Sequence, residues 1–278
     1  MKVKAYGKIN LTLEVLGLRV DGYHELRSVM AKVDVSDELD LELRDDDQLV
    51  LAGSREDLAY DERNLIIKAA NLLRKETGCR KGAELYIKKG IPMEAGMAGG
   101  SADAAAALIG LNSLWELDLS LEALFLLAAR LGSDVPFCLQ EGCVLAEGRG
   151  ERLTSLPTPP PLDILVVKPD FGSSTPVVFR EWDRQGSLGQ EGASSLLVQA
   201  LASGKNIRPF LYNGLEAAAR TLAPEVGEIL DEMRLQGAYA ILSGSGPTCL
   251  YFGDNASIDS LYLKYSKMYK EVYKTRLR

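Results

Sequence analysis

Histidine is almost missing from this chain. His24 is the only one in 278 residues, and the four cysteines, Cys79, Cys138, Cys143 and Cys249, form no CxxC pair. A zinc site built on His and Cys needs several such ligands at short spacings, so none is indicated, and the cysteines read as reduced, buried or incidental thiols rather than a disulfide framework. A serine hydrolase is excluded as well: neither Ser101 nor Ser245 lies in a GxSxG elbow, and only one histidine could serve as the triad base. The Walker pattern GxxxxGK[ST] and a strand-linked GxGxxG are both absent, which removes the P-loop and Rossmann readings. No run approaches the roughly 18 apolar residues of a membrane helix, and MKVKAYGKINLTLEV starts in strand rhythm without a basic-then-apolar leader, so a soluble cytoplasmic protein with no membrane partner is expected. Positive charge is short too, with 32 Lys and Arg against 39 Asp and Glu. With no global basic field, nucleic acid is not an expected partner.

What remains is ordinary globular composition, 46% hydrophobic and 26% charged, enough for one large or two modest domains. From Val3 to Val15 the odd positions are apolar or small and alternate with Lys4, Tyr6, Lys8, Asn10, Thr12 and Glu14. This is the period of a half-buried strand, and it places Lys8 and Asn10 together on the polar face. DELDLELR predicts another strand, closed by an acidic turn at Asp45, Asp46 and Asp47. Asn64 and Gly78 bracket a helical pattern in LIIKAANLLRKET, and Ser120 and Gly132 bracket LEALFLLAARL. AELYIKK, DILVVKP and AYAILSGSGPTCLYFGD read as strand-bearing stretches, with helices expected at 194–202, 210–221 and 224–236. Pro157, Pro159, Pro160 and Pro161 suit a stiff crossing, which sets a domain boundary there and divides the chain into 1–156 and 157–278. The tail, 257–278, carries Tyr262, Tyr265, Tyr269 and Tyr273 at spacings of three and four, with six basic residues against two acidic. It reads as a basic amphipathic helix packed through its tyrosines, the alternative being aromatic stacking on nucleic acid.

The most telling stretch is GIPMEAGMAGGSADAAAALIGLN, residues 90–112, which puts Gly90, Gly96, Gly99, Gly100 and Gly110 and a run of alanines between a strand-like stretch and a tryptophan. A glycine-rich turn can take left-handed angles and approach a ligand closely, while the helix that follows points unpaired N–H groups and its positive dipole end into the same volume. Phosphate is the expected tenant, with the Ser101 hydroxyl available to it or to its metal ion. The alternative is close helix packing through glycine and alanine. Three further stretches favour the ligand: LGSDVPF puts Asp134 past a helix stop, SGSGPT at 243–248 is a second glycine-rich turn after a strand, and DGYHE at 21–25 holds the lone histidine.

These motifs in this order, KINLTL, DGYHEL, PMEAGMAGGSADAA, LGSDVPF and LSGSGPT, resemble the kinase superfamily of galactokinase, homoserine kinase, mevalonate kinase and phosphomevalonate kinase over about residues 5 to 253. The resemblance implies an α+β protein of two domains, a ribosomal-protein-like βαβ domain and a C-terminal ferredoxin-like domain, with nucleotide and substrate meeting in the cleft between them. It implies transfer of a phosphoryl group from ATP, with Mg²⁺, to an alcohol. Pro92, Met93, Glu94, Ala95, Gly96, Met97, Ala98, Gly99, Gly100, Ser101 and Ala102 would form the ATP phosphate loop. Asp134 would accept the hydroxyl proton, with Lys8 beside it to orient the carboxylate and offset charge on the moving phosphoryl group. Tyr23 and His24 would contact the cytosine of a cytidine-diphosphate-linked polyol, Asn10 would position substrate, and Thr175 and Phe179 would close on the cytidine, Phe179 having core packing as its alternative. Gly244, Ser245 and Gly246 would complete the substrate site. Many members carry glycine where this chain has Glu94, Ala95 and Ala98, so its loop is less bare.

Phosphoryl transfer asks a protein mainly for positioning and charge stabilisation. A nucleotide-binding regulator without turnover would share the loop but have no use for Lys8 and Asp134. A homoserine- or mevalonate-type kinase would leave Tyr23 and His24 without a reason.

Overall fold

A computed structural model of the chain describes residues 1–186 and 191–278. Along the chain run β1 (Lys2–Leu18), β2 (His24–Arg44), β3 (Leu49–Gly53), α1 (Leu65–Thr77), β4 (Gly82–Lys88), α2 (Gly99–Leu114), α3 (Leu121–Leu131), α4 (Val135–Leu139), β5 (Cys143–Gly148), β6 (Arg152–Leu156) and β7 (Asp163–Lys168). Then follow α5 (Thr175–Arg184), α6 (Ala193–Ala202), a 3₁₀ turn (Arg208–Phe210), β8 (Tyr212–Asn213), α7 (Glu216–Leu222), α8 (Pro224–Leu235), β9 (Tyr239–Leu242), β10 (Cys249–Phe252), α9 (Asn255–Tyr265) and β11 (Glu271–Arg276). The fold is of the α+β class. Its residues gather into two compact units, one of Met1–Gly7, Val35–Ile91 and Ala98–Glu141, the other of Lys8–Asp34, Pro92–Met97 and Gly142–Arg278. Strands β1 and β2 contribute residues to both.

The first unit is built on a βαβ motif: β3 and β4 pair in parallel and are joined through α1. Residues Glu38–Arg44 of β2 add antiparallel to β4. Helix α1 starts where Asn64 Oδ1 accepts from Ile66 N and stops at Gly78, whose φ of 71° is left-handed. Helix α3 starts at Ser120, whose Oγ accepts from Ala123 N. Helix α2 has no polar stripe; Ala102 through Leu108 are all buried, because its alanines and Gly110 allow neighbours on nearly every side. A Cβ at Gly110 would lie 2.8 Å from Leu41 Cδ2, so glycine there sets how closely α2 lies on β2.

In the second unit Leu26–Ala31 of β2 pair antiparallel with β5, β5 pairs with β6, and β8 lies parallel to β1 at Thr12 and Leu13. A separate four-stranded sheet has the order β11-β7-β10-β9, antiparallel throughout. Counted along the chain from β7 this is fourth, first, third, second, the βαββαβ arrangement of a ferredoxin-like fold. Helices α8 and α9 pack on it over Leu165, Val167, Leu230, Met233, Tyr251 and Tyr265.

Three expectations change. Strand β1 is not half-buried: from Gly7 to Val15 both faces are buried, so Lys8, Asn10, Thr12 and Glu14 lie inside. The region 210–221 holds a 3₁₀ turn, the short β8 and only then α7. The tail is helical only to Tyr265; Tyr273 belongs to β11, whose alternating EVYKTR pairs with β7. The free edge of β7 offers a full ladder of backbone bonds, which outweighs a helical spacing of side chains. No helix among the described residues is long and apolar enough to cross a membrane. The cysteines are unbonded, and burial raises the Cys143 and Cys249 thiols well above their usual range.

Trp115, buried at the C-terminus of α2, donates its indole N–H to Gly82 O at 3.1 Å and carries the Arg74 guanidinium 5.5 Å above its ring. We expect Trp115→Ala to cost about 3–5 kcal/mol and Trp115→Phe about 1–3 kcal/mol, chiefly the stranded carbonyl. Urea denaturation of both variants measures the difference; a Trp115→Phe variant as stable as the parent would show that the indole hydrogen bond contributes nothing.

Candidate active site

The polar face of β1 organises the second unit. Lys8 is 5% exposed and its ammonium donates to Asn10 Oδ1 at 2.7 Å. Its backbone N–H donates to Met97 O at 3.0 Å, which ties the strand to the end of the 92–97 segment. Ser243 Oγ donates to Gly96 O at 3.2 Å. Gly96 has φ of 69°, and a Cβ there would overlap Ser243 O, so this position tolerates only glycine on two counts. A Cβ on Gly244 would lie 3.1 Å from Gly96 O and 3.6 Å from Asn10 Oδ1. Lys8, Asn10, Gly96 and the Ser243–Gly246 turn are therefore neighbours. Asn213 holds that turn from behind, its Nδ2 donating to Leu242 O and Gly244 O at 2.8 Å each. Thr175 shares a 2.8 Å hydrogen bond between its hydroxyl and that of Ser245.

The loop's backbone is unusual for its composition. Glu94 and Ala98 have φ of 51° and 55°, left-handed without being glycine. Each costs about 1–2 kcal/mol in that region, so neighbours must hold them there. Ala98 occupies the position before α2, where no side chain caps the helix. The first N–H groups of α2 have no intrahelical acceptor, which suits them to an anion, and Ser101 stands part-exposed in that first turn. Asp134, in the first unit, immediately precedes the short α4 but does not cap it with its side chain.

Also in the first unit, Lys89 lies between two carboxylates. Its ammonium pairs with Asp37 and, at 2.7 Å, with Asp103, and all three side chains are buried. Asp37 Oδ1 accepts the backbone N–H of Gly90 at 2.6 Å and of Ile91 at 2.8 Å, fixing the chain where it leaves β4. Asp103 lies one turn into α2, and its Oδ1 is buried without a hydrogen-bond partner. Burial pushes the Asp103 carboxyl up to about 8; the Lys89 charge opposes the shift and the Asp37 charge adds to it. Burial disfavours the charged form of Lys89, yet the two carboxylates hold its pKa above the usual lysine value.

His24 is nearly enclosed. Its Nε2–H donates to Asp183 Oδ1 at 2.9 Å, its ring stacks on Phe179 at 4.7 Å, and Trp182 meets it edge-on at 5.7 Å. Phe179 also packs against the core that contains Leu13, Val15 and Val178. Tyr23 is 55% exposed, with the Arg149 guanidinium 4.8 Å above its ring.

Of the residues singled out from the sequence, the second unit thus gathers Lys8, Asn10, Gly96, Gly244 and Ser245, with Thr175 on Ser245. His24 and Phe179 form a second group there. Asp134 and residues 98–102 lie in the first unit. Sequence reasoning missed Asp37, Lys89, Asp103, Asp183 and Asn213. A lysine directly before a glycine-rich loop was a signal for Lys89, and the i+4 spacing of Phe179 and Asp183 on α5 was one for Asp183; nothing local marks Asn213.

Known proteins resemble this chain throughout. The family model for the GHMP kinases N terminal domain matches residues 64–142, and that for the GHMP kinases C terminal matches 197–271. A 4-diphosphocytidyl-2-C-methyl-D-erythritol kinase of Shouchella clausii is 41% identical, covering 99% of this chain and 93% of its own length. One of Bacillus pumilus is 44% identical over 88% and 85%. A crystal structure of 4-(cytidine 5'-diphospho)-2C-methyl-D-erythritol kinase superposes with a TM-score of 0.83 at 32% identity, covering 100% of this chain and 99% of that one. A homoserine kinase from Cytophaga hutchinsonii, 18% identical with a TM-score of 0.75 over 98% and 94%, shares the fold.

The lysine cluster predicts a pH dependence. A carboxyl whose pKa is raised by folding binds its proton more tightly in the folded chain. Its stabilising effect is full below the ordinary carboxylate range and is lost as pH rises toward about 8. Stability measured by urea denaturation should fall over this window with a slope of at most about 1.4 kcal/mol per pH unit, and Asp103→Asn should flatten it. An unchanged slope in the variant would show that Asp103 ionises as an ordinary carboxylate.

Proposed function

We infer the reaction from one premise: the chain belongs to the GHMP kinases, and within them to the 4-diphosphocytidyl-2-C-methyl-D-erythritol kinase family. It is an ATP-dependent kinase that phosphorylates the 2-hydroxyl of 4-diphosphocytidyl-2-C-methyl-D-erythritol, a step of the non-mevalonate route to isoprenoid precursors. The cytoplasm is where this reading places it. The matched families end at residue 142 and begin again at 197, which supports a division into 1–156, with the phosphate loop and catalytic groups, and 157–278, closing on substrate.

The observation that carries the catalytic assignment is the buried ammonium of Lys8 on a strand whose backbone bonds the end of the glycine-rich loop. A buried cation beside phosphate-binding backbone offsets charge that develops on a moving phosphoryl group. Residues 92–102 hold the nucleotide phosphates through backbone N–H groups. Asp134 orients the acceptor hydroxyl and takes its proton as that oxygen bonds to the γ-phosphorus. The bond from the γ-phosphorus to the β,γ-bridging oxygen breaks, and ADP leaves with the electron pair. Asn10 and the Gly244–Gly246 turn position the polyol and its diphosphate, Tyr23 and His24 contact the cytosine, and Thr175 and Phe179 close on the cytidine.

Mg²⁺ is implied by the family. Among the described residues no three Asp, Glu, His or Cys side chains form a metal cluster. The Ser101 hydroxyl, part-exposed in the first turn of α2, would help to hold the ion beside the nucleotide phosphates. When bound it would neutralise charge on the β- and γ-phosphates.

The purified protein, given ATP and Mg²⁺, should release ADP with 4-diphosphocytidyl-2-C-methyl-D-erythritol and not with mevalonate, homoserine or no acceptor. Asp134→Asn should lower kcat by about 10²–10⁴-fold while nucleotide still binds. Turnover with mevalonate or homoserine would overturn the roles given to Tyr23 and His24.

A further inference from the structure

Ser28 stands on β2, outside every motif, yet it decides how Asn10 faces Lys8. Its Oγ lies 2.6 Å from Thr12 O, and a carbonyl can only accept, so the Ser28 hydroxyl proton is committed there. The lone pairs left on Ser28 Oγ accept from Asn10 Nδ2 at 2.7 Å. The Asn10 amide therefore has one orientation, with Oδ1 turned to the Lys8 ammonium at 2.7 Å. Reversed, the amide would set its N–H against the N–H of the ammonium and its oxygen against a hydroxyl whose proton is already spent on Thr12 O.

The chain of bonds is anchored at its far end. Thr12 Oγ1 accepts from Val29 N at 2.9 Å and shares a 2.8 Å bond with Ser194 Oγ. Glu14, wholly buried, accepts Ala193 N and Ser194 N at 3.0 and 3.3 Å at the start of α6. Positions 8, 10, 12 and 14, one face of β1, thus form a directed polar row that cannot shift by one residue without stranding buried donors and acceptors.

We propose that Ser28 is a positioning residue for catalysis: by fixing the Asn10 amide it holds the Lys8 ammonium where the transferring phosphoryl group passes. This rests on the role assigned to Lys8 above. Ser28 is buried and bonded to Asn10 and Thr12, so its removal should act on kcat and leave the KM for ATP nearly unchanged.

The test compares Ser28→Thr with Ser28→Val, which have nearly the same shape, suit a strand equally and differ in the hydroxyl. Thermal unfolding of each checks that the fold survives. Ser28→Thr should keep kcat within about threefold, whereas Ser28→Val should lose about ten- to a hundredfold with KM for ATP within about twofold, as displacement of a catalytic group does. Equal kcat in the two variants would overturn the proposal, as would a loss confined to melting temperature. Lys8→Met is run alongside. If it leaves kcat intact, the role of Lys8 fails; if it abolishes turnover while Ser28→Val is silent, the positioning role alone fails. Should Ser28→Val not fold, Ser28→Ala carries the same expectation.

Discussion

An ammonium group buried in a sheet must be met by oxygen atoms with fixed directions, because an unpaired charge in that environment costs several kcal/mol. Lys8 imposes this demand on β1, and the rest of the second unit is arranged around the answer. Asn10 supplies an oxygen, Ser28 orients Asn10, and Thr12 and Glu14 continue the row to the start of α6. The opposite face of the strand, Ile9, Leu11, Leu13 and Val15, is apolar core. A strand buried on both faces with one face polar has a single workable register, since a slip of one residue would bury four polar side chains among hydrocarbon.

The glycine-rich segment depends on such fixed points. Glu94 and Ala98 hold left-handed conformations that their own side chains disfavour. In the second unit Met97 O is held by the Lys8 backbone and Gly96 O by Ser243. In the first, Asp37 takes the N–H groups of Gly90 and Ile91. Each bond contributes about 0.5–1.5 kcal/mol net, so several together offset the strain. The result is a run of backbone held in place by its neighbours, which suits the phosphate-binding role proposed for it. The Asp37–Lys89–Asp103 cluster lies buried within the first unit. Replacing such a cluster by hydrocarbon is often tolerated, whereas breaking it is costly.

Residues proposed to bind substrate share partners with residues of the framework. Thr175 bonds Ser245, and His24 bonds Asp183 while stacking on Phe179. Phe179 belongs at once to the hydrophobic core and to the surface proposed for cytosine, so its two readings from the sequence are not exclusive. An aromatic ring anchored on one side by core is a rigid platform, losing little entropy when a base stacks on it.

How much of this was legible follows the reach of each interaction. Asn64, Gly78 and Ser120 bracket helices because capping bonds span two to four residues, and the order of the motifs was enough to recognise the family. The glycine-rich turn with its helix pointed to phosphate, since glycines and a helix start can be read within one short segment. The burial of Lys8 was not legible: period 2 separates two faces but does not say what covers the polar one. Nor was β11, whose tyrosine spacing favoured a helix until β7 offered an edge. Asp183 lies 159 residues from His24, and Asn213 29 and 31 from the carbonyls it holds. By itself, then, the sequence determined the periods, the caps, the loop chemistry and the kinship, all carried by short-range patterns. The tertiary structure alone decided which polar groups are buried and which oxygen or nitrogen answers each, because those partners are brought together only when distant segments pack.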